Sequence, residues 1–168
     1  MSITPDQDMI LEDFESKFIG IAREPAGTVT TDHEKVNQLF QNVQWSQCNN
    51  WLLVATDCPQ RDERLPWTGD LQVFCKTSLY NDDLHAFYLK WCQDAIDSQI
   101  NGTFPNIIPY NKVTGTGNAG WGDAGIIVPY QLYRHYNDKQ FITKMYPSMQ
   151  KYMQWLEFSG LNGANFTK

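Results

Sequence analysis

The chain contains no run of basic residues: 13 Lys plus Arg are scattered among 19 Asp plus Glu over 168 residues, leaving a formal charge of −6. Proteins that track phosphate backbones cluster positive charge on one face, so nucleic acid is not expected as a partner. No apolar stretch approaches the roughly 18 residues that a membrane-spanning helix requires, so no membrane span is expected. The opening residues, MSITPDQDMILEDFESKF, hold no basic segment followed by an apolar one. No secretory signal is read there; a cytoplasmic setting is slightly favoured and the compartment stays open. The four cysteines, Cys48, Cys58, Cys75 and Cys92, form no C-x-x-C pair and have no histidine at zinc-ligand spacing. No metal site is expected, and reduced, packed thiols are. There is no G-x-S-x-G, and His33, His85 and His135 lie far apart, which argues against a serine-nucleophile arrangement and leaves them as surface or capping residues.

What is present is a folding composition, with 42% hydrophobic and 19% charged residues, and an aromatic share of 14% that fits buried rings or rings stacked on flat ligands. The length suits one domain or one piece of a larger one. Residues 1–31 read as a connector with Pro5, Gly20, Pro25 and Gly27, ending in the β-prone run Thr28, Val29, Thr30 and Thr31. Thr31 and Glu34 have capping-box spacing, and Val36, Leu39, Phe40 and Val43 follow at helical spacing, which predicts a helix over about 32–50. Leu71, Phe74, Cys75 and Leu79 predict a second helix. A third opens after Asp82 or Asp83, with Leu84, Phe87, Tyr88, Trp91, Ala95 and Ile96 on one stripe. Residues 101–120 form a long loop, of the kind that carries function in compact domains. Helical text resumes from Asp123 to Tyr136 and from Lys139 to Phe158, with Pro129 and Pro147 inside and Gly160 as a C-terminal stop. With no strand alternation beyond residue 31, the fold class is all-α, about five helices in antiparallel pairs.

Gly115, Gly117 and Gly120 match G-x-G-x-x-G, with Asp138 downstream, but no buried strand precedes them, and a dinucleotide site is not expected without its strand–turn–helix setting. Two N-x-Thr sequons, at Asn101 and Asn165, matter only in a secreted protein.

The informative stretch is Asp57 to Asp70, DCPQRDERLPWTGD, which crowds Asp57, Asp62, Glu63, Asp70, Arg61, Arg64 and Trp67 into one loop. A solvated, salt-bridged loop with Asp70 capping a helix accounts for much of this. Yet an apolar run, WLLVA, feeds into it, and its prolines and glycine stiffen it as site-bearing loops require. Carboxylates around an indole suit sugars: acids bond hydroxyls, and the ring face packs on C–H surface. A like charge or an apolar wall raises a carboxyl pKa toward what a general acid needs, whereas arginines lower it. The spacing leaves open which carboxylates Arg61 and Arg64 face. A second cluster, Gly120-Trp121-Gly122-Asp123, frees an indole at a helix start, where Asp123 as N-cap is an equally good reading.

The runs WSQCNNWLLVATDCPQRDERLPWTGDLQVF (Trp45 to Phe74) and GWGDAGIIVPYQLYRHYND (Gly120 to Asp138) resemble the catalytic domain of bacterial α-L-rhamnosidases, glycoside hydrolase family 78. The similarity covers about residues 32 to 160. It implies an (α/α)6 barrel of paired helices whose end loops form the pocket, and hydrolysis of terminal α-linked L-rhamnose with inversion, so a rhamnose-containing glycoside or oligosaccharide is the implied partner. By position, Glu63 is similar to the family's general acid; Asp57, Arg61 and Asp70 to residues that bond rhamnose hydroxyls; Trp67 and Trp121 to the aromatic walls; and Asp123 falls in the same substrate-binding group. The family usually has glycine where this chain has Pro66, and proline cannot take a positive φ.

Twelve helices with loops need well over about 250 residues, so the resemblance implies that residues 32–168 are the N-terminal half of the barrel and residues 1–31 a connector from an upstream β domain. An inverting mechanism needs a second carboxylate, and Asp138 and Glu157 match no base motif; the family's base is expected beyond Lys168. Two carboxylates need no cofactor. A non-catalytic rhamnose-binding or scaffold protein, and a barrel acting on another sugar, stay open as alternatives.

Overall fold

The computed structural model describes residues 13–21 and 24–161 and contains five helices: α1 (Glu34–Asn50), α2 (Thr68–Asn81), α3 (His85–Ser98), α4 (Ala124–Tyr136) and α5 (Lys139–Leu161). Pairing among the described residues outside the helices is limited to isolated β-bridges. The Thr28 to Thr31 run forms no strand. The connector is laid instead against the end of α2, where Ala26 N–H donates to the Asn81 carbonyl and Asp83 N–H to the Glu24 carbonyl. The part of the connector that lies in residues 1–12 falls outside the described residues.

The capping box does not form. His33 occupies the N-cap of α1 with no side-chain cap bond, and Thr31 is clasped by Asn37, whose Oδ1 accepts both the Thr31 N–H and hydroxyl while Nδ2 donates to the Thr31 carbonyl. An amide that both donates and accepts closes this turn better than a carboxylate, which only accepts. The Val36 and Leu39 stripe of α1 remains exposed, and α1 joins the body through Gln47, Cys48 and the following Trp51. Trp51 stacks on Phe87, with ring centroids 5.0 Å apart, and meets Phe74 and Tyr88 edge-on.

The core sits among α2, α3, α4 and α5, with α4 packed on the other three. The α3 stripe behaves as its spacing predicts: Leu84, Tyr88, Trp91 and Ala95 are buried, with Phe87 and Ile96 at the margin. Each large apolar side chain so buried contributes about 1.5–3 kcal/mol. All four cysteines are buried and unbridged. Burial pushes the Cys75 thiol up to about 11 and raises that of Cys92 as well.

Asp83 receives the His85 N–H but the N-cap position falls to Leu84. Pro129 and Pro147 lie inside α4 and α5 and not in their first turns, and α5 continues through Gly160 to Leu161, so the predicted stop is passed. α4 ends on Asn137 in the left-handed conformation, φ 52°. The long loop after α3 is part of the core. Phe104, Ile107 and Ile108 are buried, and the loop is stitched to the α1–α2 connection by Thr68 N–H to the Asn106 carbonyl and Ile108 N–H to the Pro66 carbonyl. Ile108–Pro109 is cis. The G-x-G-x-x-G segment lies in this loop with no strand before it.

Candidate functional site

The α1–α2 connection is closed on itself by Asp57. Its N–H donates to the Leu65 carbonyl and its Oδ1 accepts the Leu65 N–H, each at 3.1 Å, so residues 58–64 form a loop closed at a half-buried base. Asp57 is the deepest of the loop's acids, its side chain only 8% exposed. Arg61 lies between two carboxylates, 3.5 Å from Asp57 and in direct contact with Glu63. It also bonds the Cys58 thiol. The Glu63 charge, and then the Cys58 contact, hold the Arg61 pKa above its ordinary value. Ligand-type atoms of Asp57, Cys58 and Glu63 lie within 4.8 Å of one another, with the guanidinium facing all three. Arg64, at φ 47°, turns back to the Arg61 carbonyl and pairs with no acid among the described residues. Pro66 is not among the positive-φ residues, and its carbonyl is used by Ile108, so the loop accommodates proline where the similar family has glycine.

Glu63, its side chain 32% exposed, accepts the Trp67 indole N–H at 2.8 Å. Trp67 is the N-cap of α2, and its ring lies edge-on to Trp121, with centroids 6.4 Å apart and planes at 64°. Trp121 is carried in the Gly120–Gly122 turn ahead of α4, where Gly120 has φ +83°. The turn comes so close to α2 that a Cβ at Gly69 would lie 3.1 Å from the Trp121 Nε1 and the Gly120 carbonyl. Only glycine fits there without displacing the indole.

A cleft of about 600 Å³ lies beside this pair, walled by the end of α1, Trp51 to Asp57, the first turns of α2 and Trp121. Asp57, Asp70 and Trp121 line it; Arg61, Glu63, Trp67 and Asp123 do not. Asp70, exposed in the first turn of α2, has no hydrogen-bond partner among the described residues. Asp123 turns away from the cleft: Oδ2 accepts the Gly120 N–H and Oδ1 the Tyr152 hydroxyl, and it makes no side-chain N-cap bond. Asp123 thus occupies the N-cap position of α4, and its carboxylate braces the turn that carries Trp121.

Sequence reasoning passed over four groups. Thr68 and Gln72, one helical turn apart on α2, hold the Trp121 turn through the Trp121 and Gly120 carbonyls, at 2.9 and 2.6 Å. Their i, i+4 spacing was the available signal. Asn50 and Gln72 line the cleft, and their amide oxygens are buried without partners among the described residues. Tyr152, on α5, had no sequence signal linking it to a loop 29 residues away.

The loops ahead of α2 and α4 thus present acids and indoles from one end of a helical domain. Residues 24–165 match the family described as the bacterial alpha-L-rhamnosidase 6 hairpin glycosidase domain, and the chain belongs to that family. Its relatives include alpha-L-rhamnosidases of Formosa agariphila, 41% identical over 76% of this chain and 14% of theirs, and of Streptomyces avermitilis, 42% identical over 76% and 12%. The solved Streptomyces avermitilis enzyme, in complex with L-rhamnose, superposes with a TM-score of 0.74. That of Dictyoglumus thermophilum reaches 0.84 at 34% identity, covering 92% of this chain and 18% of its own. The five helices are part of an (α/α)6 barrel, and the chain spans only 12–14% of the length of the first two relatives. No described helix is long and apolar enough to cross a membrane.

Proposed function

We propose that this chain supplies the acid side of an α-L-rhamnosidase active site, removing terminal α-linked L-rhamnose with inversion. The observation that carries the reading is the joined pair of Glu63 and Trp67 beside a cleft lined by Asp57, Asp70 and Trp121. In the relative solved with L-rhamnose, the same family domain belongs to an alpha-L-rhamnosidase.

In this reading Glu63 delivers a proton to the departing glycosidic oxygen. The partly exposed guanidinium of Arg61, already near Asp57, is the group that trades its contact with Glu63 for a sugar hydroxyl. Asp57 and Asp70 accept hydroxyl protons, and Trp67 and Trp121 form the apolar wall. Inversion needs a second carboxylate about 6.5–9.5 Å from the acid, across the sugar, to activate water. Asp138 is committed to His85 and the Phe141 N–H, so we assign the base to sequence outside these 168 residues, and hydrolysis to the longer protein.

Proton NMR of an aryl α-L-rhamnoside digest by an enzyme carrying this domain tests the reading. The β-anomer of L-rhamnose is expected first. Appearance of the α-anomer first overturns inversion, and hydrolysis of other glycosides in preference to rhamnosides overturns the substrate.

A further inference from the structure

Trp121 is the most exposed part of the aromatic wall, 40% accessible, and it sits between two glycines. Left to itself, such a turn would not hold an indole in one place. Beyond the turn's own backbone bonds, with the Trp121 and Gly122 N–H groups both donating to the Asn118 carbonyl, three bonds involving side chains fix it: Thr68 to the Trp121 carbonyl, Gln72 to the Gly120 carbonyl, and the Gly120 N–H to Asp123. The first two come from α2, which also forms the cleft. The third is different, because Asp123 is itself held from the other side by the hydroxyl of Tyr152, at 2.9 Å, in the middle of α5.

Tyr152 is well placed to be a fixed point. It is 1% exposed, its ring packed against Phe104 and stacked on Trp155. A Cβ on Gly122 would lie 2.9 Å from the phenol oxygen, so α5 approaches the turn as closely as glycine permits. Burial, and then the bond to Asp123, raise the phenol's pKa, which keeps it a donor at neutral pH.

We infer that Tyr152 and Asp123 are positioning residues that hold Trp121 against the sugar site, transmitting the placement of α5 to the aromatic wall. The part of this that concerns sugar affinity rests on the proposed rhamnose site; the part that concerns the indole does not.

The test uses an enzyme carrying this domain, labelled with 5-fluorotryptophan, with the Trp121 signal assigned by Trp121→Phe. Tyr152→Phe is expected to shift and broaden the Trp121 fluorine signal and to weaken L-rhamnose binding roughly three- to tenfold, the weight of one hydrogen bond. Tyr88→Phe is the matched control: it removes another buried phenol, hydrogen-bonded to Ser78, and is expected to leave the Trp121 signal and rhamnose binding unchanged. Asp123→Asn keeps one acceptor and is expected to give a smaller displacement; it carries the test if circular dichroism shows Tyr152→Phe to be unfolded. A Trp121 signal unmoved in both variants, or moved equally by Tyr88→Phe, overturns the inference. A signal that moves in an enzyme indifferent to L-rhamnose upholds the positioning role and counts against the proposed site.

Discussion

Glu63 and Trp67, four residues apart in a loop and not in a helix, are bound carboxylate to indole at 2.8 Å. The same indole lies edge-on to Trp121, so the acid, the first aromatic wall and the second form one connected unit across two loops that are distant in sequence. Arg61 is the only described cation on this acid, since Arg64 is turned to a backbone carbonyl.

Replacing Glu63 with Gln preserves the shape and the acceptor for Trp67 but removes the proton donor. In an enzyme carrying this domain, kcat on aryl rhamnosides is expected to fall about 10²- to 10⁴-fold, with a smaller loss for substrates whose leaving group needs no protonation. Turnover within a few-fold of wild type would remove Glu63 as the acid.

Gly125, in the first turn of α4, lies under the ring of Phe104: an added Cβ would stand 2.1 Å from its Cδ2. Phe104 is fully buried and cannot step aside. Gly125→Ala is expected to cost about 1–3 kcal/mol despite alanine's better helix propensity. Urea denaturation reads this directly; a stabilised variant would show that the ring is free to move.

Gln47 links α1 to the end of α2 in a buried relay, donating to Asp82 at 2.7 Å and accepting from Asn81 at 2.8 Å. Asp82 is 1% exposed. Gln47→Leu takes a bond from a buried carboxylate and from a buried amide together, and a loss of about 3 kcal/mol is expected. A loss below about 1 kcal/mol in the same denaturation assay would mean that other donors replace the amide.

Asp83 and Asp138 are held below the ordinary carboxylate range, the first chiefly by the His85 N–H and then the Tyr136 hydroxyl, the second chiefly by the Phe141 N–H and then His85. A depressed carboxylate contributes stability above its unfolded pKa of about 3.9 and loses it as pH falls through the folded value. The Tm of wild type should therefore exceed that of the Asp83→Asn, Asp138→Asn double variant at pH 6, and the gap should close on acidification toward pH 2. The buried thiol of Cys75 acts in the opposite direction, contributing stability below pH 9 that is lost as pH rises through about 11. A gap that persists unchanged at low pH would detach both aspartates from the acid limb.

The helices were legible because their signal is local. Leu84, Phe87, Tyr88, Trp91 and Ala95 repeat at helical spacing, and the spacing alone predicts a buried stripe. The Asp57 to Asp70 loop stood out as a candidate site through its residue types and its resemblance to a family. What could not be read was which charge meets which. Arg61 and Arg64 have the same chemistry three residues apart, and only the left-handed backbone at Arg64 turns one away from the acids. Asp123 fits a sugar ligand and a helix cap equally well in sequence; the fold puts it at the N-cap of α4 without a side-chain cap bond and engages its carboxylate with a phenol from α5. The stretch 101–120 reads as an open loop because Gly, Pro, Asn and Thr dominate it, yet Phe104, Ile107 and Ile108 anchor it in the core.

By itself, then, the order of residues determined the five helices, their apolar stripes and the chemical inventory of the site, since these depend on neighbours within a few positions. The tertiary structure decided the edge-on meeting of Trp67 and Trp121 and the support that Tyr152 lends through Asp123. Those contacts join segments up to 54 positions apart, as for Trp67 and Trp121, and hydrogen bonds and ring contacts act over only a few ångströms. Packing of the helices has to bring the partners together before either can choose the other.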